Sequence, residues 1–442
     1  MNESIQYQID TIKQTKKVEL IGFEPRKYQT DIAYYAWYKL MAYGICYLSM
    51  QMRTGKTITS LMTAFILCIK NDNVLFITKK KAIPSIESDL KKLNHQLNFT
   101  IINYESLHKL PKKTWDLIII DEAHSLGQYA TPSGRYNNVK SFVGKYTKLL
   151  LLSGTPSPES YSQLFHQFRL SDTFSPFKNY SNFYKWAKDF VNVKQQRVNN
   201  NLIKNNYDDC NWDKLMPILD KYFIRYTQND AGFEQTINEE LFKVTMKPNT
   251  YKMIEQLKKD LIIKGQHHNV LADTKVKLLN KLHQLYSGTI IFECGKSMVI
   301  DHSKANFIRD TFVDEKIAIF YKYKAEYDLL KATFPNHTDN PEEFNASDDL
   351  VFLGQLQSVK EGVNLSTADA LIFYNIDFSS VTYQQARERA AHKNRVKENN
   401  VFFIFASNGI EQDIYKVLQT KQDYTTKHYE SYEREQISKP NN

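Results

Sequence analysis

Leu117 to His124 reads L-I-I-I-D-E-A-H, four strand-forming apolar residues running straight into two adjacent carboxylates. A continuous apolar run of this length suits a strand buried on both faces, as in a parallel sheet covered by helices. Ligands of such sheets bind at the carboxyl ends of the strands. Asp121 and Glu122 stand at that end, and two acids there can act jointly. Asp121 holds a magnesium ion, and Glu122 polarises a water for attack on a phosphate. The plainer reading is a buried strand followed by an acidic helix cap.

A second motif decides between these readings. Gly44–Met50 (G-I-C-Y-L-S-M) reads as a strand, Q-M-R-T-G-K-T follows, and I-T-S-L-M-T-A-F-I-L-C-I continues as a helix. Strand, Gly-Lys-Thr turn and helix are the context that a phosphate-binding loop requires. Backbone N–H groups of the turn, around Thr54 and Gly55, face a β-phosphate. Lys56 adds a point charge toward the β- and γ-phosphates, and Thr57 offers its hydroxyl to magnesium. The full G-x-x-x-x-G-K-[ST] pattern is absent, because Met50 holds the first glycine position. Upstream, G-F-E-P-R-K-Y-Q opens an aromatic helix near Pro25, with Gln29 placed to read an adenine through its carboxamide.

Short apolar strands ending in polar residues are also expected in N-V-L-F-I-T-K-K-K (73–81) and F-T-I-I-N-Y-E-S-L (99–107), so that Thr78, Lys79 and Tyr104 project from the edge that holds the nucleotide, where a hydroxyl and an amine suit phosphate backbone. K-L-L-L-L-S-G-T-P (148–156) is another buried strand ending in a tight turn. Residues 157–255 become aromatic and helical, with an Asn-rich exposed loop near 192–206. Helical periodicity dominates 250–288, where the adjacent His267 and His268 share no helix face and read as surface residues. A second set of strands follows at 316–321, 349–354, 370–375 and 401–406. Gly362 sits at a turn between two of them, and Arg389 lies on the helix that also carries Gln385.

At 442 residues the chain is long enough for two domains. No apolar run approaches the roughly 20 residues of a membrane span, and the start M-N-E-S-I-Q-Y-Q has no secretory pattern. Cys46, Cys68, Cys210 and Cys294 are scattered without a C-x-x-C pair, which argues against a zinc site and fits the cytoplasm. A formal charge of +9 points weakly to a polyanionic partner.

The ordered motifs resemble those of the superfamily 2 helicases, and most closely the SWI/SNF-type DNA translocases, from about residue 23 to 420. P-R-K-Y-Q resembles the adenine-reading Q motif, M-R-T-G-K-T motif I, D-E-A-H motif II and L-L-L-S-G-T-P motif III. Y-F-I-R-Y-T-Q-N-D is similar to the R-R-T-K-x-D segment of the SWI/SNF branch. K-I-A-I-F-Y-K-Y resembles motif IV, E-G-V-N-L-S-T-A-D motif V and Q-A-R-E-R-A-A-H-K motif VI. The resemblance implies an α/β fold of two RecA-like parallel-sheet lobes in tandem with a helical insertion between them. The expected division is an N-terminal arm (1–22), a first lobe (23–170), a helical inter-lobe region (171–295), a second lobe (296–425) and a polar tail (426–442).

It further implies ATP and Mg2+ as cofactors and a DNA-dependent ATPase that moves on duplex or forked DNA. Catalytic roles fall to Lys56, Asp121, Glu122 and Arg389, metal binding to Thr57 and Asp121, and nucleotide binding to Gln29, Thr54, Gly55, Lys56, Thr57, Gly362 and Arg389. Ser153 and Thr155 couple hydrolysis to movement. Thr78, Lys79, Tyr104, Gln357 and Asn364 fall in or near motifs that line the nucleic-acid track. The expected assembly is a monomer or weak oligomer without a membrane partner, working with replication or recombination proteins. The lean core and AT-rich residue bias suggest a phage or mobile element.

Two departures stand out. His392 occupies the place of a second motif VI arginine, with Lys393 or Arg395 as substitutes, and Arg53 replaces a small residue in motif I. They motivate a rival reading as a nucleic-acid-binding scaffold with a weakened ATPase. A strand-separating DNA or RNA helicase and the motor subunit of a restriction system also compete with the translocase reading.

Overall fold

The computed structural model describes residues 3–18, 20–93, 97–199, 202–232, 237–264, 269–359, 363–387 and 399–419. The chain divides into two compact units, Met1–Phe233 and Glu234–Asn442. Each is built on a six-stranded parallel sheet, so the expected tandem of RecA-like α/β lobes is the fold.

In the first unit the sheet strands are β1 (Ile45–Met50), β2 (Asn73–Thr78), β3 (Asn98–Asn103), β4 (Leu117–Asp121) and β5 (Lys148–Leu152). A separate hairpin of β6 (Lys194–Asn199) and β7 (Leu202–Asn206) precedes β8 (Phe223–Tyr226). The sheet order is β3-β2-β4-β5-β1-β8, every pair parallel. Its apolar runs are continuous because both faces are covered. Cys46, Leu48, Val74, Phe76, Leu117, Ile119, Leu150 and Leu152 point into one core with helices α1 (Glu3–Thr15), α2 (Lys27–Tyr43) and α3 (Lys56–Leu67). The alternate residues Tyr47, Leu75, Ile77, Ile118, Ile120, Leu149 and Leu151 are equally buried. Tyr47 meets Phe168 and Phe223 there, beside an aromatic cluster of Phe165, Phe177, Phe183 and Trp186.

Two stretches differ from expectation. The N-terminal residues, read as a loose arm, form α1, which docks through Ile5, Ile9 and Ile12. The segment after it is held by polar bonds: Tyr34 Oη donates to Lys16 O at 2.7 Å, and Lys16 Nζ donates to the carbonyls of Ile66 and Cys68 at 2.9 and 2.7 Å. The Asn-rich stretch, read as a loop, forms the antiparallel hairpin β6-β7, because backbone pairing needs no apolar pattern.

In the second unit β9 (Ile237–Val244) begins the sheet. Two small antiparallel pairs follow, β10 (Ile262–Lys264) with β11 (Asn269–Leu271), and β12 (Thr289–Ile291) with β13 (Ser297–Val299). Then come β14 (Ile317–Tyr321), β15 (His337–Thr338), β16 (Val351–Gln355), β17 (Ala370–Phe373) and β18 (Asn399–Ala406), in the parallel order β15-β16-β14-β17-β18-β9. Alternating faces again bury separately, Phe320, Leu371 and Phe403 into one cluster and Ile319, Ile372 and Ile404 into another. Among the described residues no helix is long and apolar enough to cross a membrane.

Beside the carboxyl end of β14, the fully buried His283 has its Nδ1 3.3 Å from Tyr323 Oη and its Nε2 without a hydrogen-bond partner among the described residues. Burial first, then the nearby Lys322 and Lys304, hold its pKa well below the usual 6.5. The folded state therefore keeps His283 neutral, while the unfolded chain takes up a proton below that pH. Stability is expected to fall on acidification below about pH 6.5 by about 1.4 kcal/mol per pH unit from this residue. Urea denaturation between pH 7.5 and 5.5 should show that slope in the wild type and a shallower one in His283→Gln.

Candidate active site

The strand ends of the first sheet place two loops side by side. β1 is followed by residues 51–55 and then by α3, which starts at Lys56. Gly55 sits at φ +86°, a left-handed conformation that lets the chain turn from strand to helix. The Thr54 hydroxyl closes the turn by donating to Gln51 O at 2.7 Å. Lys56 Nζ donates to Met50 O at 2.8 Å, so the ammonium group is folded across the mouth of its own loop.

Gln29 supports this loop from α2. Its Nε2 donates to Thr54 O at 3.2 Å and its Oε1 accepts the Arg26 N–H at 2.9 Å. Tyr28 Oη donates to the same Thr54 carbonyl at 3.0 Å. A Cβ on Gly55 would lie 2.0 Å from Gln29 Nε2. Gly55→Ala is therefore expected to unseat the loop and weaken nucleotide affinity by at least about tenfold, since both the φ value and the clash oppose it. A titration with a fluorescent ATP analogue measures this.

Two strands over, beyond β5, β4 ends at Asp121, which is paired with Leu152 of β5. Asp121 Oδ2 accepts the Thr78 hydroxyl at 2.8 Å and Oδ1 accepts the Glu122 N–H at 3.0 Å. Tyr104 Oη donates to the Asp121 carbonyl. Burial, then the neighbouring Glu122 carboxylate, push the Asp121 carboxyl up to about 6, while the Thr78 bond and the ammonium groups of Lys56 and Lys79 pull it down. Glu122 adopts a left-handed φ of 51°. Its Oε2 lies 3.2 Å from His124 Nδ1, which is 2.9 Å from Ser153 Oγ, and Ser153 Oγ accepts the Thr155 N–H at 3.1 Å. A polar chain thus runs from the Asp-Glu pair into the Ser-Gly-Thr-Pro turn. A Cβ on Gly154 of that turn would lie 3.3 Å from Met50 O and 3.5 Å from Lys56 Nζ, which shows how closely it approaches the first loop.

The structure therefore brings together Gln29, Thr54, Gly55, Lys56, Thr57, Asp121 and Glu122. Thr78 and Tyr104, expected on the nucleic-acid track, are buried at 0% and 4% exposure. Their hydroxyls face Asp121, so they hold that residue in place instead of presenting an outer surface. Lys79 is half-buried. Gln357 and Asn364 are exposed in the second unit, where Asn364 Oδ1 accepts the Ser366 N–H at 3.2 Å. Gly362, Arg389, His392, Lys393 and Arg395 lie outside the described residues, as do His267 and His268. Sequence reasoning missed Tyr28 and the Tyr226–Gln228 segment as loop supports. Both lie inside segments that the sequence singles out, P-R-K-Y-Q and Y-F-I-R-Y-T-Q-N-D, without a role assigned to them there.

Magnesium suits this donor set. A hydroxyl at the start of α3 and a carboxylate at the end of β4 are hard oxygen ligands, and Mg2+ is ordinarily held by one or two carboxylates with substrate phosphates and water completing the shell. The raised carboxyl of Asp121, beside Glu122, marks a place where a cation would offset concentrated negative charge.

A Gly-Lys-Thr loop and an Asp-Glu pair at the carboxyl ends of β1 and β4, with β5 between them in one parallel sheet, define the site of a P-loop nucleoside-triphosphatase. A family description, the SNF2-related domain, matches residues 54–287, more than half of the chain. The chain belongs to the SNF2-related family, the SWI/SNF-type branch of the superfamily 2 ATPases.

It is similar to the ISWI chromatin-remodeling complex ATPase of Saccharomyces cerevisiae, 23% identical over 373 residues that cover 73% of this chain and 31% of that protein. It is also similar to an uncharacterized ATP-dependent helicase of Bacillus subtilis, 21% identical over 387 residues covering 78% of this chain and 66% of that protein. The chain thus spans about a third of the yeast relative's length. The SWI2/SNF2 ATPase core of Sulfolobus solfataricus, solved in complex with dsDNA, aligns with 92% of this chain and 93% of its own at 17% identity and a TM-score of 0.42.

Proposed function

We propose that this protein hydrolyses ATP with magnesium and uses the cycle to step along DNA, duplex or forked, in replication, recombination or repair. The observation that carries the reading is the convergence of Lys56, Thr57, Asp121 and Glu122 at one sheet edge. Lys56 leaves the Met50 carbonyl to meet phosphate, Thr57 and Asp121 hold the metal, and Glu122 orients and deprotonates the attacking water. When bound, magnesium neutralises charge developing on the transferred phosphoryl group. Thr78 and Tyr104 keep Asp121 aimed, and the His124–Ser153 link carries movement at Glu122 into the Ser-Gly-Thr-Pro turn. Arg389 is assigned the γ-phosphate, and Lys79, Gln357 and Asn364 are assigned to nucleic acid.

DNA as the partner is supported by family membership, by the +9 charge and by the naming of the yeast relative as a chromatin-remodelling ATPase. Steady-state ATP hydrolysis without nucleic acid and with duplex, single-stranded or forked DNA or RNA tests the reading, with Glu122→Gln as the blank. Duplex stimulation supports a double-strand motor. Stimulation by single strands or RNA alone selects a strand-separating enzyme, and turnover no higher than the blank on every polymer leaves a binding protein.

A further inference from the structure

The phosphate loop is bolted to the segment by which the first unit hands the chain to the second. β8 runs parallel to β1 with Tyr226 level with Met50, so the two strands end together. Beyond their ends the Gln51 N–H donates to Tyr226 O at 2.9 Å. Gln51 Oε1 accepts the Gln228 N–H at 2.7 Å, and Gln228 Nε2 donates to Met52 O at 3.0 Å. The Tyr226 ring stacks on Tyr28 with centroids 4.5 Å apart, and Tyr28 holds Thr54 O.

The next residues close on themselves. Asp230 Oδ2 accepts both the N–H and the hydroxyl of Thr227 at 2.8 Å, and Tyr226 Oη donates to Asp230 O at 2.9 Å. This closed turn lies just before the division at Phe233–Glu234.

We propose that Gln228 is a positioning residue that couples occupation of the phosphate loop to the chain's exit toward the second unit. The proposal rests on the nucleotide-binding reading given above. Lys56 Nζ is bonded to Met50 O and must leave it to reach a phosphate. The loop that rearranges then is the one Gln228 grips at residues 51 and 52. Because the 226–230 turn is closed by its own hydrogen bonds, it moves as a piece instead of absorbing the shift. Tyr226 and Gln228 thereby brace residues 51 and 52 of the phosphate loop.

Backbone amide hydrogen exchange of the full chain, with and without magnesium and a non-hydrolysable ATP analogue, reads the coupling directly. In the wild type the analogue is expected to slow exchange at 53–58 and, by at least about threefold, at 226–232. In Gln228→Ala the analogue should still protect 53–58 while the response at 226–232 disappears. A merely structural role would raise exchange at 226–232 equally with and without the analogue. Protection at 53–58 without any change at 226–232 in the wild type, or a full response retained in Gln228→Ala, overturns the coupling. No protection at 53–58 in the wild type overturns the nucleotide reading itself, and the coupling with it.

Discussion

Glutamine in place of Glu122 is expected to slow magnesium-dependent ATP turnover by about 10²–10⁴-fold, the usual worth of a positioned general base. ATP affinity should stay within about threefold of the wild type, because the phosphate contacts fall to Lys56 and the loop amides. The carboxamide keeps the shape of the carboxylate beside His124 but cannot take a proton from water. Asp121→Asn is the contrasting variant. It removes the anionic ligand proposed for the metal, so magnesium dependence and turnover should be lost together. Single-turnover hydrolysis with a separate binding titration distinguishes the two. Turnover within about threefold of wild type in Glu122→Gln would remove Glu122 from the role of base.

The second large effect lies in the other unit and concerns stability. Lys304 and Glu411 form an ion pair of 3.1 Å with both side chains at 0% exposure. The ammonium group also lies 4.7 Å from the centre of the Tyr374 ring. Burial pushes the Glu411 carboxyl up, and the Lys304 charge pulls it back down. Lys304→Met leaves a buried carboxylate without its cation and is expected to cost about 3–5 kcal/mol. Lys304→Met combined with Glu411→Leu should recover most of that loss, because a well-packed apolar pair also avoids the desolvation of two charges.

The four tryptophans, Trp37, Trp115, Trp186 and Trp212, all lie in the first unit. Tryptophan fluorescence in urea should therefore change little in Lys304→Met, while far-ultraviolet circular dichroism should show an earlier transition. Coincident shifts in both signals would mean that the two units unfold as one.

Much of this architecture was legible in the chain. Runs such as Leu117–Ile120 and Leu149–Leu152 announce strands buried on both faces because no polar residue interrupts them. The Gly-Lys-Thr turn is legible because few residue types fit its backbone. Three features were not. In α1 only Ile5, Ile9 and Ile12 mark the docked face, three apolar residues in an otherwise polar run. The hairpin β6-β7 is set by backbone pairing in a stretch without an alternating apolar pattern. Thr78 and Tyr104 sit at strand ends as expected, but whether a strand-end hydroxyl turns outward or toward Asp121 depends on the neighbouring strand. Ile77 of β2 stands level with Ile120 of β4, which puts Thr78 beside Asp121.

The bond from Lys16 to the carbonyls of Ile66 and Cys68 bears on where this protein can be cut. α3 begins at the phosphate loop and ends at Leu67, so the residues just after α1 supply a cation to the far end of the helix that carries Lys56 and Thr57. A version trimmed to begin at the first recognisable motif, near residue 23, would keep every named catalytic group and lose that rear anchor. Its nucleotide loop would then ride on a helix still packed in the core but stripped of the cation at its far end, and a truncation chosen for convenience would act as a mutation close to the active site.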